Sequence, residues 1–113
     1  MSMNNEVQLR KGVLEMCVLY TISKGSAHGY DVIKKMNEYF PEVSGSNIYA
    51  ILRRLCDEKC VTMTHSDEGK GPTRKNYDIT EKGMETLNGL IDSWRKIRRA
   101  VDDMGIIRQK LQK

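Results

Sequence analysis

Arg53 and Arg54 stand side by side a short way after Ser46, Asn47, Tyr49 and Ala50. At 100° per residue along a helix, Ser46, Ala50, Arg53 and Asp57 share one side, with Tyr49 and Arg54 on its two flanks. A small residue at the point of closest approach, with long donors beside it, is what a helix needs to reach base edges and phosphates in a DNA groove. The ordinary alternatives are two solvated arginines and a Tyr49 half-buried against the first helix. A second basic group follows. Residues 69–75 hold Lys70, Arg74 and Lys75 and no acid, although Asp67 and Glu68 just before them partly cancel their field. Such a loop adds affinity for a polyanion by displacing counterions, and it equally suits a solvated hairpin tip.

The remaining reactive side chains do not form a catalytic set. His28 and His65 are the only imidazoles and fall in different segments. Cys56 and Cys60, spaced i and i+4 at a helix end, could face one way as zinc ligands, but packed thiols are the expectation. No serine or cysteine has a histidine and a carboxylate near it in sequence, and no Gly-x-x-x-x-Gly-Lys-Ser/Thr phosphate loop occurs. No enzyme, cofactor or metal is therefore expected. Cys17, Cys56 and Cys60 are odd in number without a Cys-x-x-Cys, unlike a small secreted disulfide scaffold, and read as reduced. Apolar stretches are far shorter than the roughly 20 residues a bilayer needs, and residues 1–10 lack an apolar signal region. A cytoplasmic protein without a membrane partner is the expectation.

The elements that must position these residues can be read from 113 residues, enough for one small domain. With 39% hydrophobic and 30% charged residues the chain is neither disordered nor low in complexity. Its net charge of +4 permits nucleic-acid binding without demanding it. Residues 8–23 place Leu9, Val13, Met16, Cys17 and Tyr20 at helical spacing, with Val18, Leu19 and Ile22 widening the face, and Gly25 closes the helix. Residues 27–39 form a second helix with Tyr30, Ile33, Met36 and Phe40 inward, stopped by Pro41. Ser44 or Ser46 caps a third helix to about residue 59, whose Ile48, Ile51, Leu52 and Leu55 make the core face. Then the period changes to two over residues 61–65 and 75–79, an antiparallel hairpin whose loop carries the second basic group. Thr80 caps the last helix, with Glu81 in its first turn. The fold class is mainly α with a small β-hairpin, a winged helix-turn-helix over residues 1–79 with a C-terminal dimerisation helix over 80–113.

Four blocks carry a family likeness. Leu9-Arg10-Lys11-Gly12-Val13-Leu14-Glu15, Gly29-Tyr30-Asp31-Val32-Ile33-Lys34, Ile48-Tyr49-Ala50-Ile51-Leu52-Arg53-Arg54-Leu55, and Gly71-Pro72-Thr73-Arg74-Lys75-Asn76-Tyr77 followed by Thr80-Glu81-Lys82-Gly83 occur in this order over residues 9–83. Together they resemble the PadR-type transcriptional regulators, and the length after the last block resembles the short subfamily with a single C-terminal helix. Two positions depart from the pattern: Ala50 stands where the family often has proline, and Cys60 holds a turn position that is often glycine-like or aliphatic. The resemblance implies a homodimeric repressor on double-stranded DNA with a two-fold symmetric operator, the third helix in the major groove and the wing near the backbone or minor groove. It makes Ser46, Asn47, Tyr49, Ala50, Arg53, Arg54, Lys70, Arg74 and Lys75 the expected DNA-binding residues. It also implies release by a ligand, a flat aromatic or drug-like compound in some short members and a phenolic acid in founding ones. The alternative is a winged-helix protein-interaction module without DNA binding.

In the last helix Leu87, Leu90, Trp94, Ile97, Val101, Met104 and Leu111 follow a 3-4 spacing broken only at Arg108. A seam this long has no partner within so short a chain, so a homodimer joined through Leu87, Leu90, Trp94, Ile97, Val101 and Met104 is expected, against the alternative of a helix folded back on its own domain. Trp94 resembles in placement the ligand-stacking tryptophan of multidrug-responsive short members. Near a two-fold axis it could hold a planar aromatic or cationic ligand, or it could simply fill the dimer core.

Overall fold

The computed structural model describes residues 5–66 and 74–111 of the chain. Its elements run α1 (Asn5–Ser23), β1 (Ala27–His28), α2 (Gly29–Tyr39), α3 (Gly45–Asp57), β2 (Val61–Ser66), β3 (Arg74–Ile79) and α4 (Glu81–Met104). The mainly helical winged-helix reading holds, with one addition. The sheet has three strands in the order β1-β3-β2, all antiparallel. The hairpin pairs Val61 with Ile79 through Ser66 with Arg74, and β1 adds Ala27 opposite Tyr77 and His28 opposite Asn76. Two residues are too few for alternation to show, so the sequence pattern carries no sign of the extra strand.

The core gathers Leu14, Val18, Leu19 and Ile22 of α1, Val32 and Met36 of α2, and Val61, Tyr77 and Leu87 around the buried face of α3. That face is Ile48, Ile51, Leu52 and Leu55, as its spacing predicts. The inward faces of the first two helices need correction by about one residue. Leu9 is 81% and Tyr30 69% exposed, while Leu14 and Val32 are buried in their stead. Apolar residues surround α1 on several sides, so periodicity leaves its rotation open and packing against α2, α3, α4 and β3 settles it.

Ser44 is the cap of α3: its hydroxyl accepts the Asn47 N–H at 3.1 Å. At the other end the chain turns sharply through Lys59, a non-glycine residue at φ 64°. This corner receives the start of α4. The Thr80 hydroxyl accepts the Gly83 N–H at 3.0 Å and lies 2.7 Å from the Lys59 carbonyl, to which it can donate. Lys82 Nζ donates to the Glu58 carbonyl at 2.7 Å. Gly83 is buried against the Cys60 carbonyl so closely that a Cβ would collide with it.

After Leu90 and Ile91, which still pack against the core, α4 leaves the domain. The molecule measures 66 × 31 × 21 Å, with a radius of gyration of 17.2 Å against about 13 Å for a compact domain of this length. The helix ends at Gly105, at φ 65°. Leu111 therefore lies outside the helix, a correction to the seam inferred from spacing, which ran through it. Spacing alone passed over the glycine, whose left-handed conformation ends the regular hydrogen bonding. Among the described residues no helix is long and apolar enough to cross a membrane.

Candidate nucleic-acid interface

With its apolar face locked into the core, α3 must turn the opposite face outward. Ser46, Asn47, Ala50 and Arg53 are exposed on it, and Tyr49 is half-buried. Across from α3 lie Arg74 and Lys75, exposed on β3. Between them runs an open groove of about 1130 Å³ that Ser46, Tyr49, Arg53, Arg74 and Lys75 line together. The structure thus brings two separate basic groups of the sequence to one concave surface. Lys70 lies outside the described residues.

Arg54 is differently placed. Its Nη2 and Nε donate to Oε1 of Glu15 on α1 at 2.9 and 3.3 Å, so it ties α3 to α1. Tyr49 is half-buried and packed against the core. Its ring end rests against Gly29, the first residue of α2.

The groove also contains residues that the sequence reading did not assign. His28, Tyr30 and Asp31 at the start of α2, and Cys56, Met63 and Tyr77, complete its walls. His28 is the N-cap residue of α2 without a side-chain cap bond, and its Nδ1 is buried without a hydrogen-bond partner. Helical spacing alone predicts Tyr30 in the core, and the one-residue rotation of α2 puts it on the groove wall instead. The fixed charges are Arg53, Arg74 and Lys75 against Asp31 and Asp57, a small positive excess. Cys56 and Tyr77 stay neutral near pH 7. Burial pushes the Cys56 thiol up, with Asp57 adding to the effect and Lys75 opposing it. Burial also raises the Tyr77 phenol, with Cys56 and Tyr49 adding and Arg53 opposing. Cys56 and Cys60 occupy different surroundings: Cys60 is buried in the core with Sγ 3.6 Å from Thr86 Oγ1, and Cys56 faces the groove.

The second assembly of residues is on α4. Leu87 is buried and Leu90 half-buried in their own domain. Farther along the same stripe Trp94 is 39%, Ile97 58% and Met104 75% exposed, with Val101 exposed between them. The spacing keeps all four on one side of the helix.

The model of the Transcriptional regulator PadR-like family matches residues 18–89. A PadR-like transcriptional regulator of Bacillus cereus superposes with a TM-score of 0.78 at 38% identity, over 89% of this chain and 99% of that one. A Streptococcus transcriptional regulator superposes with a TM-score of 0.78 at 28% identity, over 88% and 98%. The negative transcriptional regulator PadR of Bacillus subtilis is 29% identical over 94 residues, which is 80% of this chain and 52% of that protein.

Proposed function

Because this chain belongs to the PadR-like family of transcriptional regulators, whose members bind DNA and are not enzymes, we propose that it is a repressor with α3 in the major groove. One observation carries the reading. Ser46, Tyr49 and Arg53 of α3 share a single open groove with Arg74 and Lys75 of β3, so donors for base edges and cations for phosphates face one duplex. Asn47 and Ala50 lie exposed on the same helix, and Lys70 belongs to the segment that joins the two wing strands. Arg54 joins this set with the donors that Glu15 leaves free, since only its Nη2 and Nε are engaged. Residues 1–79 form the DNA-binding part, and residues 80–113 carry the dimerisation helix.

A pair of chains joined through Trp94, Ile97, Val101 and Met104, continuing from Leu87 and Leu90, would cover the exposed stripe of α4. Two-fold symmetry then places half-sites roughly 34–36 Å apart on the operator. A small planar aromatic or drug-like ligand between the two copies of Trp94 would release the DNA by favouring another spacing of the subunits.

The test is titration of a duplex from the chain's own upstream region at several salt concentrations. Arg53→Ala should weaken binding by about 1–3 kcal/mol if a base contact is lost, or flatten the salt slope by about one unit if a phosphate contact is lost. Wild-type behaviour of this variant on both counts would favour a protein-interaction module over a DNA reader. For the ligand, planar dyes should quench Trp94 emission and lower operator affinity together, and quenching without release would remove the ligand from the proposal.

A further inference from the structure

Gly29 opens α2 on the wall of the groove that faces α3. Its backbone does not require glycine, since among the described residues only Gly25 and Gly105 are glycines with positive φ. An ordinary helical position favours alanine over glycine. The space is what excludes a side chain. A Cβ at Gly29 would stand 2.8 Å from Cε1 and 2.9 Å from Oη of Tyr49, and its third nearest neighbour is Cζ of the same ring. Carbon atoms pack best at about 3.5–4.0 Å, so the ring could not stay where it is.

We infer that Gly29 is a positioning residue for DNA recognition: the missing side chain at the head of α2 lets the Tyr49 phenol rest on that turn, which holds its hydroxyl in the groove beside Ser46 and Arg53. This rests on the reading of α3 as the DNA-facing helix. The backbone of α3 is fixed independently, by Ile48, Ile51, Leu52 and Leu55 in the core. What Gly29 fixes is the direction of one side chain. The atoms in the way are the far end of a ring that can swing about two torsions, so a methyl group at position 29 displaces the phenol and leaves the fold in place. A tyrosine held in one rotamer loses little further entropy on meeting a phosphate oxygen or a base edge, and one pushed aside must be brought back.

The test uses the full chain, the upstream duplex above, and the variants Gly29→Ala, Tyr49→Ala, their double variant and Arg53→Ala. Gly29→Ala should melt no lower than wild type yet lose about tenfold in DNA affinity, the loss expected for one hydrogen bond to a charged acceptor. Tyr49→Ala should lose at least as much, and Gly29→Ala should cost nothing more in that background, because the clash is gone. Wild-type affinity of Gly29→Ala, or the same loss with and without the Tyr49 ring, overturns the role. So does a lowered melting temperature that Tyr49→Ala does not relieve, since the obstacle would then be backbone. Weak binding by Arg53→Ala beside wild-type binding by Gly29→Ala removes the role of Gly29 alone. Wild-type binding by both Arg53→Ala and Tyr49→Ala removes the reading of α3, and the inference falls with it.

Discussion

Arg53 and Arg54 are neighbours in sequence with different surroundings, and removing Glu15 separates their roles. In Glu15→Gln the oxygen that accepts from Arg54 Nη2 at 2.9 Å and Nε at 3.3 Å keeps its place but loses its negative charge, so the charge-assisted pair becomes a weaker neutral contact. The arginine side chain is 52% exposed, which screens the pair, but Glu15 is only 21% exposed. Exposed pairs measure about 0.2–1 kcal/mol, and the cover over Glu15 puts this one near the upper end, about 1 kcal/mol. In a domain of this size that corresponds to a fall of about 4–8 °C in melting temperature. Held less firmly, Arg54 can reach a phosphate, so the salt dependence of DNA binding should steepen by about 0.9 per chain. Thermal melts of Glu15→Gln, Arg54→Ala and the double variant give the coupling, and operator titrations against salt give the slope. Arg54→Ala should lower stability more than it lowers operator affinity, the reverse of Arg53→Ala. The reasoning is refuted if Arg54→Ala loses as much affinity as Arg53→Ala while melting like wild type.

Two further outcomes follow from features away from that pair. Changing Ile97 and Val101 together to glutamate should weaken self-association and DNA binding in parallel while leaving the monomer's melting unchanged, because both side chains are exposed on the single chain; sedimentation at several concentrations checks this, and an intact dimer contradicts it. Stability should be fully present below about pH 9 and decline above it. Burial raises Cys17 and Cys56 from the ordinary 9.0 and Tyr77 from 10.0, so the unfolded chain releases these protons first and unfolding is favoured as pH rises. Tyr77→Phe should lessen that decline, and melts between neutral and alkaline pH that run parallel to wild type would exclude the contribution.

The sequence was most legible where one strong rule acted alone. On α3 four aliphatic residues within a narrow arc left a single inward face, and Ser44 and Thr80 capped their helices by side-chain chemistry that needs no tertiary context. On α1 and α2 several rotations satisfied the pattern, and neighbours chose among them. That is why Tyr30 moved from the expected core to the groove wall. The groove itself was half legible. Arg53, Arg74 and Lys75 could be singled out by charge, but their meeting depends on the hairpin folding back toward α3. The contact of Tyr49 with Gly29 left one faint sign in the sequence, a glycine at a helix start where no special backbone angle asks for it.

The corner that joins the end of α3 to the start of α4 has a mechanical consequence. Thr80, Lys82 and Gly83 fasten the long helix to the carbonyls of Glu58, Lys59 and Cys60. A helix of 24 residues is a rod of about 36 Å, and tilting it by about 5° moves its far end by about 3 Å. Hydrogen bonds tolerate a few tenths of an ångström. If two chains pair through α4 as proposed, a small change of pitch between the two rods is enough to aim their DNA-binding domains past their targets while every domain stays folded.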